Sequence, residues 1–170
     1  MDLEALISVD EPDELSSCSM PELRAVRDAY QQVENGLSYA RRMIQGRLDI
    51  VSIELERRDG SSGGDLVGQL SSALANNTRG PGMPRPPQDL EPPAWANTIV
   101  EELDTVVGPA DLARLDSMDE ASLASVAERI GALEQQVSSA RRDVHGRIDR
   151  IQDELIGRYR DGASVDDLLP

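Results

Sequence analysis

The sequence of 170 residues has no phenylalanine, one tryptophan and three tyrosines. A thick globular core is not expected from so few aromatic side chains. Charged residues make up 29% of the chain, which fits long solvent-exposed helices or a coiled coil better than a sheet protein. The single cysteine, Cys18, excludes an internal disulfide framework and a metal site built from several thiolates.

Long apolar runs and an excess of positive charge are also missing. The N-terminal residues lack the basic and apolar stretches of a signal peptide, and no segment reaches the ~20 apolar residues that span a membrane. We therefore expect a cytoplasmic protein without a membrane segment. The formal net charge is −15, so direct DNA binding is not expected and a basic protein is the more natural partner.

Two long helices are predicted from apolar residues that recur at spacings of three and four. The first covers residues 20–59, with Ser19 and Glu22 at capping-box spacing. Its apolar stripe is Leu23, Val26, Tyr30, Val33, Leu37, Ala40, Ile44, Leu48, Val51 and Leu55. The second covers residues 119–159, with Asp119 as the N-cap. Its stripe is Leu123, Val126, Ile130, Leu133, Val137, Ala140, Val144, Ile148, Ile151 and Leu155.

The fold predicted from this pattern is all-α, an antiparallel coiled coil of the two long helices with short flanking helices. The connection is also long enough for a parallel pair. Residues 1–19 form an acidic N-terminal segment, 94–118 short helices around Trp95, and 160–170 an acidic tail. Residues 60–93 are predicted to be a flexible linker, although residues 65–75 could instead form a weak helix.

The two long helices carry a repeated polar segment. Residues 34–49 and 134–149 lie 100 positions apart and are identical at eight of 16 positions. With Glu34 at zero on a helical wheel, Ser38, Arg41, Gln45 and Asp49 lie at about 40°, −20°, 20° and 60°. Glu134, Ser138, Arg141, His145 and Asp149 repeat this stripe, and Arg42 and Arg142 lie at its outer edge near ~80°.

A stripe of this kind can be the solvated flank of a coiled coil, with charges that form ion pairs. Serine and glutamine or histidine add nothing to ion pairing, however. Gly46 and Gly146 also lie in the middle of the helices, where each costs ~1 kcal/mol relative to alanine. Glycine at the same place in both copies suggests that room is needed for a ligand.

The residue types of the stripe fit a guanine nucleotide. Carboxylates accept hydrogen bonds from the N1–H and N2–H₂ edge of guanine, whereas arginine donates to O6 and N7 or to phosphate. Two copies of the stripe would suit a ligand with two-fold symmetry.

The spacing Glu34-x3-Ser38-x2-Arg41-x3-Gln45-x3-Asp49 resembles the E(x)3S(x)2R(x)3Q(x)3D signature of the RsiG family of actinobacterial anti-sigma factors. That family binds cyclic di-GMP, and its Streptomyces-type members carry two copies of the signature. The resemblance extends along nearly the whole chain. One departure is His145 in place of the second glutamine. A histidine cannot present donor and acceptor together as an amide does, so we expect the half-sites to be chemically unequal.

The resemblance implies a site for two cyclic di-GMP molecules held between the helices. In that site the four arginines would offset the phosphate charges, and the carboxylates of both motifs would contact the guanine edges. The ligand-binding residues it implies are Glu34, Ser38, Arg41, Arg42, Gln45, Asp49, Glu134, Ser138, Arg141, Arg142, His145 and Asp149. It also implies sequestration of a flagellar-type, WhiG-like sigma factor and repression of sporulation genes.

Two other functions are weighed against this expectation. An acidic coiled-coil adaptor would bind a basic protein whether or not a nucleotide is present. A helical-bundle enzyme is not expected, because His145 is the only histidine and the sequence has neither a glycine-rich phosphate loop nor a nucleophile elbow.

Overall fold

The computed structural model describes residues 2–60, 91–160 and 162. Five α-helices occur in these ranges: α1 (Leu3–Leu6), α2 (Met20–Arg58), α3 (Ala96–Val106), α4 (Pro109–Leu112) and α5 (Glu120–Arg160). Short 3-10 turns at Leu15–Ser17 and Leu115–Ser117 precede the two long helices, and no strand is present in the described part of the chain. The all-α prediction is confirmed, whereas the predicted linker and acidic tail lie almost entirely outside the described residues.

The long helices begin at the capping residues that the sequence predicts. Ser19 accepts a hydrogen bond from the backbone of Glu22, whose side chain accepts one from the Ser19 backbone, which completes the capping box. At the start of α5, Asp119 accepts from the backbone N–H of Ser122 at 2.8 Å. Both caps satisfy N–H groups that have no partner inside the helix, and so they fix where each helix begins.

The two long helices pack on each other along their apolar stripes, antiparallel, as predicted. Hydrogen-bonded pairs show the direction, because Arg41 pairs with Ser138 while Gln45, further along α2, pairs with the earlier residue Glu134. Most of the predicted stripe is buried, and only Leu48, Leu55 and Ala140 are partly exposed at the edge of the core. The fully buried members are Leu23, Leu37, Ala40, Ile44, Val51, Leu123, Ile130, Val137 and Ile151.

Helix α3 covers one side of α2. Its residues Ile99 and Leu103 are fully buried, and the ring of Trp95, just before the helix, lies against Gly36. A Cβ atom at Gly36 would lie 2.4 Å from Cζ2 of Trp95, so only glycine permits this approach. Trp95 is therefore a packing residue of the fold.

The duplication extends from the long helices to the turns before them. Arg58, at the end of α2, donates to the carbonyl oxygen of Leu115 at 2.6 Å, and Arg158, at the end of α5, donates to that of Leu15 at 2.8 Å. Each arginine thus ties the end of one long helix to the turn that opens the other. These two links hold the helices at one register. The two polar stripes therefore lie at the same height along the helix pair.

Candidate functional site

The first half of the site is a hydrogen-bonded cluster around the carboxylate of Glu134. Its Oε1 accepts from Ser138 at 2.8 Å, from Nε of Arg41 at 3.1 Å and from Nε2 of Gln45 at 3.1 Å. Nε of Arg41 also donates to Oγ of Ser138 at 2.9 Å. Because Arg41 and Gln45 belong to α2, the cluster joins the two long helices.

The second half of the site repeats the first with the helices exchanged. Oε1 of Glu34 accepts from Ser38 at 2.7 Å and from Nε of Arg141 at 2.9 Å, and the same Nε donates to Oγ of Ser38 at 2.8 Å. The two clusters are related by an approximate two-fold axis between the antiparallel helices. The repeated motifs therefore meet across the interface, as their central position in the two helices predicts.

Gln45 and His145 have equivalent positions in the two clusters. Nε2 of Gln45 lies 3.1 Å from Oε1 of Glu134, and Nε2 of His145 lies 3.3 Å from Oε1 of Glu34. A histidine with a proton on Nε2 donates there as the amide does. The histidine thus places a ring nitrogen where the amide places its donor, and the half-sites differ in the second polar atom, which is an oxygen on the same amide group in Gln45 and Nδ1 across the ring in His145.

The glutamates of the site are more buried than the arginines that they bind. The side chains of Glu34 and Glu134 are 11% and 18% exposed, whereas those of Arg41 and Arg141 are 36% and 33% exposed. Burial acts to raise the pKa of Glu34, but hydrogen bonds from Ser38 and Arg141 and the positive charge of Arg141 outweigh it and lower this pKa. Glu34 is therefore held as a carboxylate at neutral pH.

The paired arginines use only one of their three nitrogens in the clusters. Nε of Arg41 and of Arg141 makes the contacts with glutamate and serine, and their terminal nitrogens form no hydrogen bond within the residues that the structure describes. Each guanidinium is thus oriented from one side and keeps two N–H₂ groups for another acceptor. A phosphate accepts such paired donors well.

The structure does not bring the remaining motif residues into the clusters. Asp49, Asp149 and Arg42 are exposed and form no hydrogen bond or ion pair with any described residue. Arg142 is exposed as well and donates only to the backbone carbonyl of Ser138, at 3.3 Å. These four side chains flank the clusters on the solvent side, which agrees with their place at the outer edge of the stripe.

Gly46 and Gly146 are exposed, and a Cβ atom added at either would meet no described residue within 4 Å. Packing of the protein therefore does not require glycine at these positions, unlike at Gly36. The prediction that they leave room for a ligand stays a prediction.

The roles of Arg47 and Arg147 were not predicted from the sequence, although the two arginines occupy the same position of the repeat. Arg47 donates to the carbonyl oxygen of Val107 at 2.7 Å and so holds the end of α3. Arg147 donates to Glu11 at 2.5 Å and to the hydroxyl of Tyr30 at 2.9 Å. Identity at this position of the repeat was the available signal, but it does not reveal that the two arginines have different partners.

Within the described ranges, no group of three or more histidine, cysteine, aspartate or glutamate side chains could hold a metal ion. Among those same residues, no helix combines the length and apolar character needed to cross a membrane.

A family model described as RsiG-like matches residues 9–74 and 109–170 of the chain. Each matched segment contains one copy of the polar motif and one of the long helices. The part between them that the structure describes, residues 91–108, contains α3 and Trp95 and lies outside the match. A search of curated proteins found no match.

Proposed function

The chain belongs to the RsiG-like family, and on this premise we propose that it is an anti-sigma factor that binds cyclic di-GMP through its two motifs and sequesters a flagellar-type, WhiG-like sigma factor, which represses sporulation genes. The family itself supports the general anti-sigma role. The observation that carries the ligand proposal is the pair of two-fold related clusters, since each holds an arginine by Nε and leaves its terminal nitrogens without a partner among the described residues.

Arg41 and Arg141 are the proposed phosphate ligands. Nε of each is fixed by a glutamate and a serine of one helix, so little side-chain entropy is left to lose when the terminal nitrogens bind a phosphate. Two cyclic di-GMP molecules carry four phosphate charges. The exposed Arg42 and Arg142 supply two further positive charges, so that four arginines offset the phosphate charges inside an acidic protein.

Asp49 and Asp149 are the residues proposed to bind the guanine base edges. Both carboxylates are exposed and have no partner among the described residues, so they can accept from the N1–H and N2–H₂ edge at no cost in broken protein contacts. Glu134 already accepts three hydrogen bonds from the stripe, and Glu34 accepts two and lies 3.3 Å from Nε2 of His145. All of these contacts are to Oε1, on the side of each carboxylate that faces the arginine, so the glutamates act first as the groups that orient the arginines.

The proposed partner is a basic surface of the sigma factor. A net charge of −15 favours such a partner over a polyanion and accelerates the encounter by long-range attraction. A sigma factor covered by this protein cannot engage core polymerase or promoter, and sequestration needs no catalytic group.

Fluorescence anisotropy of a labelled flagellar-type sigma factor tests this function. We expect cyclic di-GMP to tighten the complex and cyclic di-AMP to leave it unchanged, because adenine offers no N1–H and N2–H₂ edge to the aspartates. Replacement of Asp49 and Asp149 by asparagine should weaken the cyclic di-GMP effect. Equal effects of the two nucleotides would contradict the proposed guanine readout.

A second candidate function is a nucleotide-independent acidic adaptor. It is favoured by the fact that glutamate, serine and arginine of the clusters satisfy one another across the helix interface. The same assay separates the two functions, since the adaptor binds the sigma factor with an affinity that cyclic di-GMP does not change.

A further inference from the structure

The two long helices have equivalent faces; within the described residues the face on α2 is covered by α3, whereas the face on α5 is covered only at one end, by α1. On α2 this face includes Gly36, Ala40 and Arg47, all of which are buried beneath α3 and the Trp95 segment or beside them. Arg47 closes it, since its terminal nitrogens pair with the carbonyl oxygen of Val107 and with Asp104 at 2.5 Å. This face of α2 therefore binds an amphipathic helix.

The equivalent face of α5 is the wall of an open groove of about 840 Å³. Gln136 and Arg147 are exposed and Ala140 is partly exposed, whereas their counterparts on α2 are all buried. The other wall is α1 and the residues beside it. When 100 is added to its residue numbers, α1 corresponds only to the last turn of α3. It therefore covers only one end of this face of α5.

The groove combines an apolar floor with an acidic rim. Its floor is formed by Leu3, Ile7, Ala140 and Val144, and its rim by Asp2, Glu4 and Asp143. Among the described residues that line it the one basic side chain is Arg147, which is already paired with Glu11 at 2.5 Å. An occupant is therefore expected to bring apolar side chains at helical spacing and positive charge along its flank.

We propose that this groove docks an amphipathic, basic helix of the sigma factor, which lies on α5 as α3 lies on α2. The inference rests on the proposed function, because it takes the sigma factor as the partner. Charge complementarity supports this occupant, as does the covered counterpart on α2, which shows that this helix face accepts a helix. Gln136 in place of Gly36 means that the docked helix cannot approach the backbone as closely as the Trp95 ring does.

The test compares three variants of the full chain in a sigma-factor binding titration with cyclic di-GMP present. Glu4→Lys with Asp143→Lys reverses the acidic rim, and Ser139→Trp fills the groove from an exposed position. Glu128→Lys with Asp153→Lys is the charge-matched control, since both residues are exposed on α5 and neither lines the groove. Circular dichroism establishes that all three remain helical.

We expect each groove variant to weaken sigma-factor binding by roughly tenfold or more, and the control to stay within about twofold of the original chain. Cyclic di-GMP binding should be retained in all three. If the groove variants bind the sigma factor as the control does, the docking proposal is overturned while the proposed function stands. If the original chain binds no sigma factor, both fail. A dimer of the chain that Ser139→Trp abolishes would also overturn the proposal, with a second copy as the occupant.

Discussion

Replacement of Arg41 and Arg141 by alanine removes the two charged links between the long helices. Each substitution deletes an Nε donor shared by a glutamate and a serine, and leaves a carboxylate that is only 11% or 18% exposed without its cation. A hydrogen bond to a charged group contributes about 1.5–3 kcal/mol, but an arginine that is one third exposed is partly screened by water. We expect a loss of roughly 2 kcal/mol for the pair, or about 4–8 °C in Tm.

The loss should depend on pH in a defined direction. The pKa of Glu34 is lowered from its usual 4.5, so this carboxylate stabilises the fold fully above about pH 4.5 and loses that contribution as the pH falls through its folded pKa. Without Arg141 the carboxylate no longer has the cation that helps to offset burial. The difference in unfolding free energy between the original chain and the variant should therefore be full at pH 7 and shrink below about pH 4.5.

Arg42→Ala with Arg142→Ala is the matched control, because it changes the net charge by the same amount at exposed positions. Its stability should stay within about 0.5 kcal/mol of the original chain. Thermal and urea denaturation followed by circular dichroism give both values, and helicity at 20 °C should be retained in both variants, since alanine favours a helix. Equal Tm values for the two variants would refute the view that Arg41 and Arg141 link the helices.

Three further predictions concern glycines and a buried acid. Gly46→Ala with Gly146→Ala should raise the unfolding free energy by about 2 kcal/mol, because a Cβ there meets nothing within 4 Å, and should weaken cyclic di-GMP binding in calorimetry; unchanged affinity would refute the view that these glycines leave room for the ligand. Gly36→Ala should cost about 1–3 kcal/mol and shift the fluorescence of the single tryptophan, since the new Cβ would overlap its ring; an unaltered spectrum would contradict that contact. Glu54→Gln should cost roughly 1–2 kcal/mol at pH 7 in urea denaturation. Hydrogen bonds, of which the one from Arg57 has the largest effect, hold the pKa of Glu54 at about 2. The difference in unfolding free energy between the original chain and the variant should therefore vanish as the pH falls from 4.5 to 2. A difference that stays constant over this range would contradict the role of Glu54.

The fold was predictable because the signals that define each long helix lie within that helix or directly before it. The 3.6-residue period of the apolar stripe, the Ser19–Glu22 capping box and Asp119 are local signals, and the structure confirms all three. The position of α3 on α2 could not be predicted from such local signals. Gly36 is needed because the ring of Trp95, 59 positions away in the sequence, packs against it. A glycine in a helix does not by itself indicate that an aromatic ring lies against it.

The polar stripe was predicted as one band, and the structure divides it into two parts. The positions nearest the apolar stripe, such as Glu34 and Arg41, face the partner helix and pair across it. The positions at the outer edge, such as Asp49 and Arg42, remain exposed. The helical wheel contained this order, but it could not say how far the partner helix extends over the band, because that depends on the interhelical distance and register.

The partners of Arg47, Arg147, Arg58 and Arg158 were not predictable from the sequence. A repeated arginine reads as a solvated charge, and the carbonyl oxygens that three of these side chains reach belong to segments of the chain that are distant in sequence. An offset of 100 applied to the turns as well as the helices, with Leu15 matched to Leu115, would have extended the repeat beyond the motifs.

The central claim is that the two motifs form one site for cyclic di-GMP. Isothermal titration calorimetry of the chain with cyclic di-GMP, in the presence and absence of the flagellar-type sigma factor, tests it most directly. The account predicts heat of binding under at least one of these conditions, with two ligand molecules per chain, and its loss in the Arg41→Ala, Arg141→Ala variant. No heat under either condition, or equal binding by that variant with helicity intact, would contradict the claim.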